Sequence, residues 1–142
     1  MRILPVRCIY PVLVLLVGAR GTMMREQVPN GDQSISVIEV SAEKYDFKPD
    51  QIHVKRGTKV QLKVHSVDEA HGIKLSLYPI GSRDKSSPGL LFTDAAENGK
   101  VEKDKDQVLE FVAQRPGTYE FKCARFCGLG HGRMKGKLVV DQ

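Results

Sequence analysis

PGTYEFKCARFCGLGHGRMKGKLVV, residues 116–140, decides how the rest of this chain is read. Pro116-Gly117 is a turn signal, and Tyr119 and Phe121 then alternate with Glu120 and Lys122, as in a strand with one dry and one wet face. Leu138-Val139-Val140 supplies a second strand. Between the two lie Cys123, Cys127, His131 and Met134, at positions i, i+4, i+8 and i+11. That spacing would also suit a helix, but Gly128, Gly130 and Gly132 would each cost about 1 kcal/mol there relative to Ala. A glycine-rich loop between two strands is expected instead. Its two thiols, imidazole and thioether are soft or borderline donors, a set that suits copper and, without the methionine, zinc.

Outward from this loop the chain keeps a period of two. Ile52 and Val54 alternate with His53 and Lys55, and Val60, Leu62 and Val64 alternate with Gln61, Lys63 and His65. Ile73, Leu75 and Leu77 follow His71-Gly72, and Val108–Val112 reads as a further strand. Ile35 and Val37 share one parity while Ile38 and Val40 share the other, which predicts a first strand with two partly covered faces. Short strands with Gly and Pro between them predict an all-β Greek-key sandwich or barrel. Residues 78–106 break the rhythm and read as a long insertion, with a short helix expected near Leu91–Glu97.

A loop cannot close a metal site alone. His71, in Asp68-Glu69-Ala70-His71-Gly72 at the mouth of a strand, is the expected remaining ligand. His53 and His65 fall on polar strand faces and are expected to be surface histidines.

The 142 residues are 41% hydrophobic and 27% charged, which suits one folded domain and excludes a disordered chain. The formal charge is +5, but acids and bases are interleaved and aromatics are sparse, so no nucleic-acid surface is expected. No phosphate-binding glycine motif, nucleophile elbow or His-Glu-x-x-His occurs, and no small-molecule substrate is expected. Arg2 and Arg7 precede an apolar run from Cys8 to Ala19, too short for a span of about 20 residues but matched to a secretory leader. Residues 1–19 are expected to be a cleaved signal, or else an uncleaved anchor helix, and residues 20–33 a linker. Export would place Cys123 and Cys127 in an oxidising compartment.

Three simpler uses of the loop stay open at this point. Cys123 and Cys127 could pair as a disulfide. With His71 and His131 they could hold a structural zinc. One of them could serve a mononuclear blue-copper site, although such a site has no use for the second.

Most of residues 35–142, apart from the 78–106 insertion, resembles the CuA-type cupredoxin domain of cytochrome c oxidase subunit II and nitrous oxide reductase, and the domain is expected over 34–142. The resemblance lies in His71, in Pro-Gly-x-Tyr-x-Phe-x-Cys at 116–123, and in C-x3-C-G-x-G-H-x-x-M at 123–134. Phe47-x-Pro-x-x-Ile-x-Val-x-x-Gly at 47–57 adds a weaker match to early cupredoxin strands. It implies two copper ions bridged by Cys123 and Cys127, with His71 and His131 each on one metal. Met134 and the backbone carbonyl of Arg125 would be weak ligands on opposite sides. Oxidase subunits commonly place Glu where Arg125 stands, and they carry a Trp-rich patch, whereas this chain has no Trp.

The function so implied is single-electron transfer with a redox protein, without catalysis by the chain alone. It would be the subunit II-like part of a membrane oxidase through which electrons enter, in an exported, periplasmic setting. The alternatives are a periplasmic copper carrier or a structural module held by zinc or a disulfide. Lys122, Arg125, Arg133, Lys135 and Lys137, with no acid after Glu120 until Asp141, read either as a solvated face or as a rim that steers an acidic partner.

Overall fold

The computed structural model describes residues 35–93 and 98–142. The expected leader, anchor and linker lie outside the described residues. Ten strands follow one another: β1 (Ile35–Glu43), β2 (Asp46–Lys48), β3 (Gln51–Lys55), β4 (Lys59–Ser66), β5 (His71–Leu75), β6 (Leu90–Phe92), β7 (Asn98–Val101), β8 (Asp106–Ala113), β9 (Gly117–Lys122) and β10 (Lys135–Asp141). A single 3-10 turn, His131–Arg133, precedes β10. Among the described residues the protein is otherwise all-β.

The strands form two five-stranded sheets, ordered β2-β1-β4-β8-β6 and β3-β10-β9-β5-β7. β1 runs parallel to β4 and β3 parallel to β10, while the other pairs are antiparallel. The period-two pattern decides what fills the space between them. Val60, Leu62 and Val64 of β4 and Leu109, Phe111 and Ala113 of β8 are buried from the first sheet. Ile73, Leu75, Tyr119, Phe121, Leu138 and Val140 are buried from the second. Burying a large aliphatic or aromatic side chain is worth about 1.5–3 kcal/mol, so these alternating positions hold the sandwich together. Phe47 meets Phe121 edge-on, with ring centroids 5.4 Å apart. Tyr119 keeps its hydroxyl satisfied by donating to the Arg115 carbonyl at 2.7 Å.

Two expectations are corrected. β1 has one covered face: Val40 and Ala42 are buried, whereas Ile35 and Val37 are 54% and 60% exposed. No further layer packs on the outer side of this sheet among the described residues. The helix expected near Leu91–Glu97 does not begin: Leu90–Phe92 is strand β6, paired with β8 through Leu91↔Val112, and 94–97 lie outside the described residues. Within 78–106 the chain supplies an edge strand to each sheet, β6 to the first and β7 to the second.

This topology carries the site on the second sheet. β5 starts at His71, β9 ends one residue before Cys123, and β10 starts one residue after Met134. Because β9 is flanked by β5 and β10, the three chemistry-bearing segments reach the same end of the sandwich.

Candidate metal centre

The 123–134 loop is pinned at its base, where the Cys123 N–H donates to the Met134 carbonyl at 2.9 Å. Inside it, the His131 N–H bonds the Gly128 carbonyl and the Met134 N–H bonds that of His131, both at 3.1 Å. The expected glycine-rich loop is therefore present. The Cys123 and Cys127 sulfurs are 3.8 Å apart as free thiols. Cys127 Sγ lies 3.8 Å from Met134 Sδ and 3.9 Å from His131 Nδ1, and Cys123 Sγ lies 3.0 Å from the Arg125 carbonyl oxygen. His71 completes the group from β5. One donor atom each of His71, Cys123 and Cys127 lie within 4.8 Å of one another, and all three residues are buried.

All six positions singled out in the sequence thus meet in one place. His131 stands somewhat apart, beside Cys127 but outside the tight trio, and is half-buried where His71 is fully buried. His53 and His65 are far from the group in function: their side chains are 54% and 47% exposed and bond Asp141 and Asp106.

The two halves of the site are held by different means. On the His71 side, the imidazole Nε2 bonds Asp68 Oδ1 at 2.7 Å. Burial alone would raise the Asp68 carboxyl. The His71 bond and the backbone N–H groups of Lys44 and Glu69 outweigh it and hold the group below the usual carboxylate range. Asp68 Oδ2 accepts the Lys44 N–H at 2.9 Å, and Lys44 Nζ pairs with Glu69 at 3.0 Å. With Nε2 donating to a carboxylate, the lone pair of His71 is left on Nδ1, which is buried and has no hydrogen-bond partner. An orphaned buried acceptor beside two thiols is what a metal ligand looks like without its metal.

On the cysteine side, close packing replaces hydrogen bonds. A Cβ on Gly130 would stand 2.2 Å from the Tyr45 ring, and one on Gly128, at φ +117°, would stand 2.7 Å from its hydroxyl. Tyr45 therefore lies against the loop where only glycine leaves room. A Cβ on Gly72 would crowd the backbone of Ala124 and Arg125 at 3.1–3.2 Å, so the same logic brings β5 against the loop. Burial, then the neighbouring Cys123 and the Glu69 carboxylate, push the Cys127 thiol up to about 11. It keeps its proton at neutral pH until a metal displaces it.

The match to known proteins agrees with this geometry. A family model described as a cupredoxin-like domain covers residues 12–140. The chain belongs to the cupredoxin-like family. It is related to cytochrome c oxidase subunit 2 of Thermus thermophilus, 25% identical over 130 residues, spanning 85% of this chain and 84% of that one. A heme-copper terminal oxidase dimer contains a chain of the same fold, with a TM-score of 0.55 and 22% identity over 80% of this chain and 68% of that one. The blue copper protein auracyanin A of Chloroflexus aurantiacus also has a TM-score of 0.55, with 20% identity over 76% of this chain and all of that one. This cupredoxin brings a histidine and two cysteines together as a CuA centre does.

Sequence reasoning missed Asp68, Lys44 and Tyr45, which orient the site without belonging to its motif. It also missed Phe126 and Leu129, exposed by 75% and 102% at the outside of the loop. The Phe126 ring lies 6.0 Å from that of His131.

Proposed function

We propose that this cupredoxin is an exported electron-transfer protein with a CuA-like centre, in which Cys123 and Cys127 hold two copper ions between them. The observation that carries the reading is the fully buried His71, its Nδ1 unpartnered and a ring nitrogen within 4.8 Å of two free thiols. In this reading His71 and His131 each bind one ion, with Met134 and the Arg125 carbonyl as weaker donors. Bound copper supplies one-electron exchange. The chain's part is to fix the donors before the metal arrives. Asp68 orients His71, Tyr45 holds the loop, and the burial of Cys123 and Cys127 keeps water from the sulfurs. A rigid donor set changes little between redox states, which favours fast transfer.

The half-exposed His131, with Phe126 beside it, is the side from which an electron enters or leaves. The likeness to oxidase subunit 2 supports a role as the electron-receiving part of a membrane terminal oxidase, with residues 1–19 as export signal or anchor. No helix among the described residues is long and apolar enough to cross a membrane. Lys122, Arg125, Arg133, Lys135 and Lys137 around the loop favour a redox partner with an acidic surface. Full burial of His71 and Met134 disfavours a readily exchanging copper carrier.

Metal analysis with the optical and paramagnetic spectra of the copper-loaded, oxidised protein tests the proposal. Two coppers per chain, with one unpaired electron spread over two equivalent nuclei, are expected. One copper, one zinc or a Cys123–Cys127 disulfide under the same conditions would overturn it.

A further inference from the structure

Lysines on the outer faces of the sandwich are ion-paired on the first sheet, as Lys100 is with Glu102 on the second, but three neighbouring lysines of the second sheet are not. On the first sheet Lys59 pairs with Glu110 at 3.2 Å, Lys63 pairs with Glu39 at 3.4 Å and Asp106 at 3.3 Å, and Lys48 pairs with Glu43. On the second sheet Lys74 of β5 stands opposite Lys122 of β9, and Lys122 stands opposite Lys135 of β10. The three exposed ammonium groups thus form one row across three neighbouring strands, and none has an ion-pair partner among the described residues. Strand spacing makes the row about 10 Å long. Like charges directly opposite one another in a sheet are destabilising, so folding gains nothing from the arrangement.

The row also leads somewhere. A surface depression of about 270 Å³ is lined by Lys122 and Lys135 together with Cys123, His131 and Gly132, and by one carboxylate, Glu120. A second depression, which Glu120 also lines, continues past Lys122 to Lys74. The cationic row therefore ends over two residues of the candidate metal centre.

We infer that the Lys74–Lys122–Lys135 row is the docking strip for an acidic redox protein. The matching surface carries carboxylates about 5–6 Å apart, the spacing of i and i+4 positions on one helix face. This rests on the electron-transfer reading above and deepens it. Such a helix laid along the strip brings the partner's own redox group to the His131 edge, while Phe126 and Leu129 supply dry contact beside it.

The test uses the copper-loaded chain and two variants of equal net charge. One is Lys74→Gln/Lys122→Gln/Lys135→Gln; the control is Lys48→Gln/Lys59→Gln/Lys63→Gln. The reduced centre gives one electron to hexacyanoferrate(III), which becomes hexacyanoferrate(II). At low salt the row variant is expected to slow this exchange about tenfold and to flatten its salt dependence, whereas the control stays near the parent rate. Exchange with the cationic tris(phenanthroline)cobalt(III) should not slow in either. A short polyglutamate peptide, titrated into copper-free and copper-loaded protein, should shift the amide resonances of Lys74, Lys122 and Lys135, and these shifts should vanish in the row variant.

Equal slowing in both variants would reduce the effect to net charge and overturn the inference. So would peptide shifts elsewhere, or row-dependent binding to phosphatidylglycerol vesicles without any to polyglutamate. Failure to form a redox-active copper centre would overturn the electron-transfer reading instead, and the copper-free peptide titration would still decide the strip.

Discussion

His71 and the cysteine loop reach the same point in space by different physics. The histidine is set by polar contacts that run from Lys44 through Asp68 to the ring, each within 3.0 Å. The loop is set by the absence of side chains: glycines admit Tyr45 on one flank and β5 on the other. A hydrogen-bonded support fails by degrees, since a weaker donor or acceptor still orients the ring. A support made of close packing fails steeply, because an added methyl group has nowhere to go.

Four experiments break or sharpen that contrast. The largest effect is expected from Cys127→Ser, which removes one of the two thiols; the spectrum of the copper-loaded protein should be lost while the far-ultraviolet dichroism of the sandwich persists. Gly130→Val comes next. Its side chain collides with Tyr45, and overpacking of this kind costs about 1–3 kcal/mol, seen as a lower denaturant midpoint together with weakened copper binding. Adding Tyr45→Ala should restore part of both, a rescue that only a packing mechanism predicts.

Asp68→Asn should be milder in stability and selective for metal. Loss of a carboxylate behind a metal-bound histidine typically weakens binding about 10–100-fold, so a competition titration should show a drop in that range. If Asp68→Asn proved the more destructive of the two, the contrast between the halves would be reversed.

The smallest effect is expected at Asp106, remote from both halves. His65 and then Lys63 hold its carboxyl below the usual range. A depressed carboxyl stabilises the fold above its ordinary pKa, and that contribution is lost as pH falls through the lower folded value. Asp106→Asn should therefore lower the melting temperature slightly at neutral pH, with the difference from the parent closing in acid. Copper affinity should not change.

The contrast also explains what could be read from residues alone. Strands β3, β4, β8, β9 and β10 were legible because each has one dry face, so alternation survives in the sequence. β1 was misread because Ile35 and Val37 are apolar yet lie on an uncovered face. β6 and β7, three and four residues long, are too short to show any period. At the site, the cysteines, His131 and Met134 were legible as a cluster of soft donors within twelve positions. Asp68, only three residues before His71, was not, because it is one acid among the many that alternation leaves on the surface. Lys44 was not, because its bond to Asp68 joins residues 24 apart and leaves no local pattern. Tyr45 was hidden for the same reason: only the folded loop shows what its ring rests on.

One topological detail ties the loop to the integrity of the sheet. β10 sits between β3 and β9, so β3 joins the second sheet only through the strand that follows the cysteine-bearing segment. Closure of the 123–134 loop and completion of the second sheet therefore depend on the same strand. A chain lacking residues beyond Met134 would leave β3 without its partner strand and the loop tethered from β9 alone.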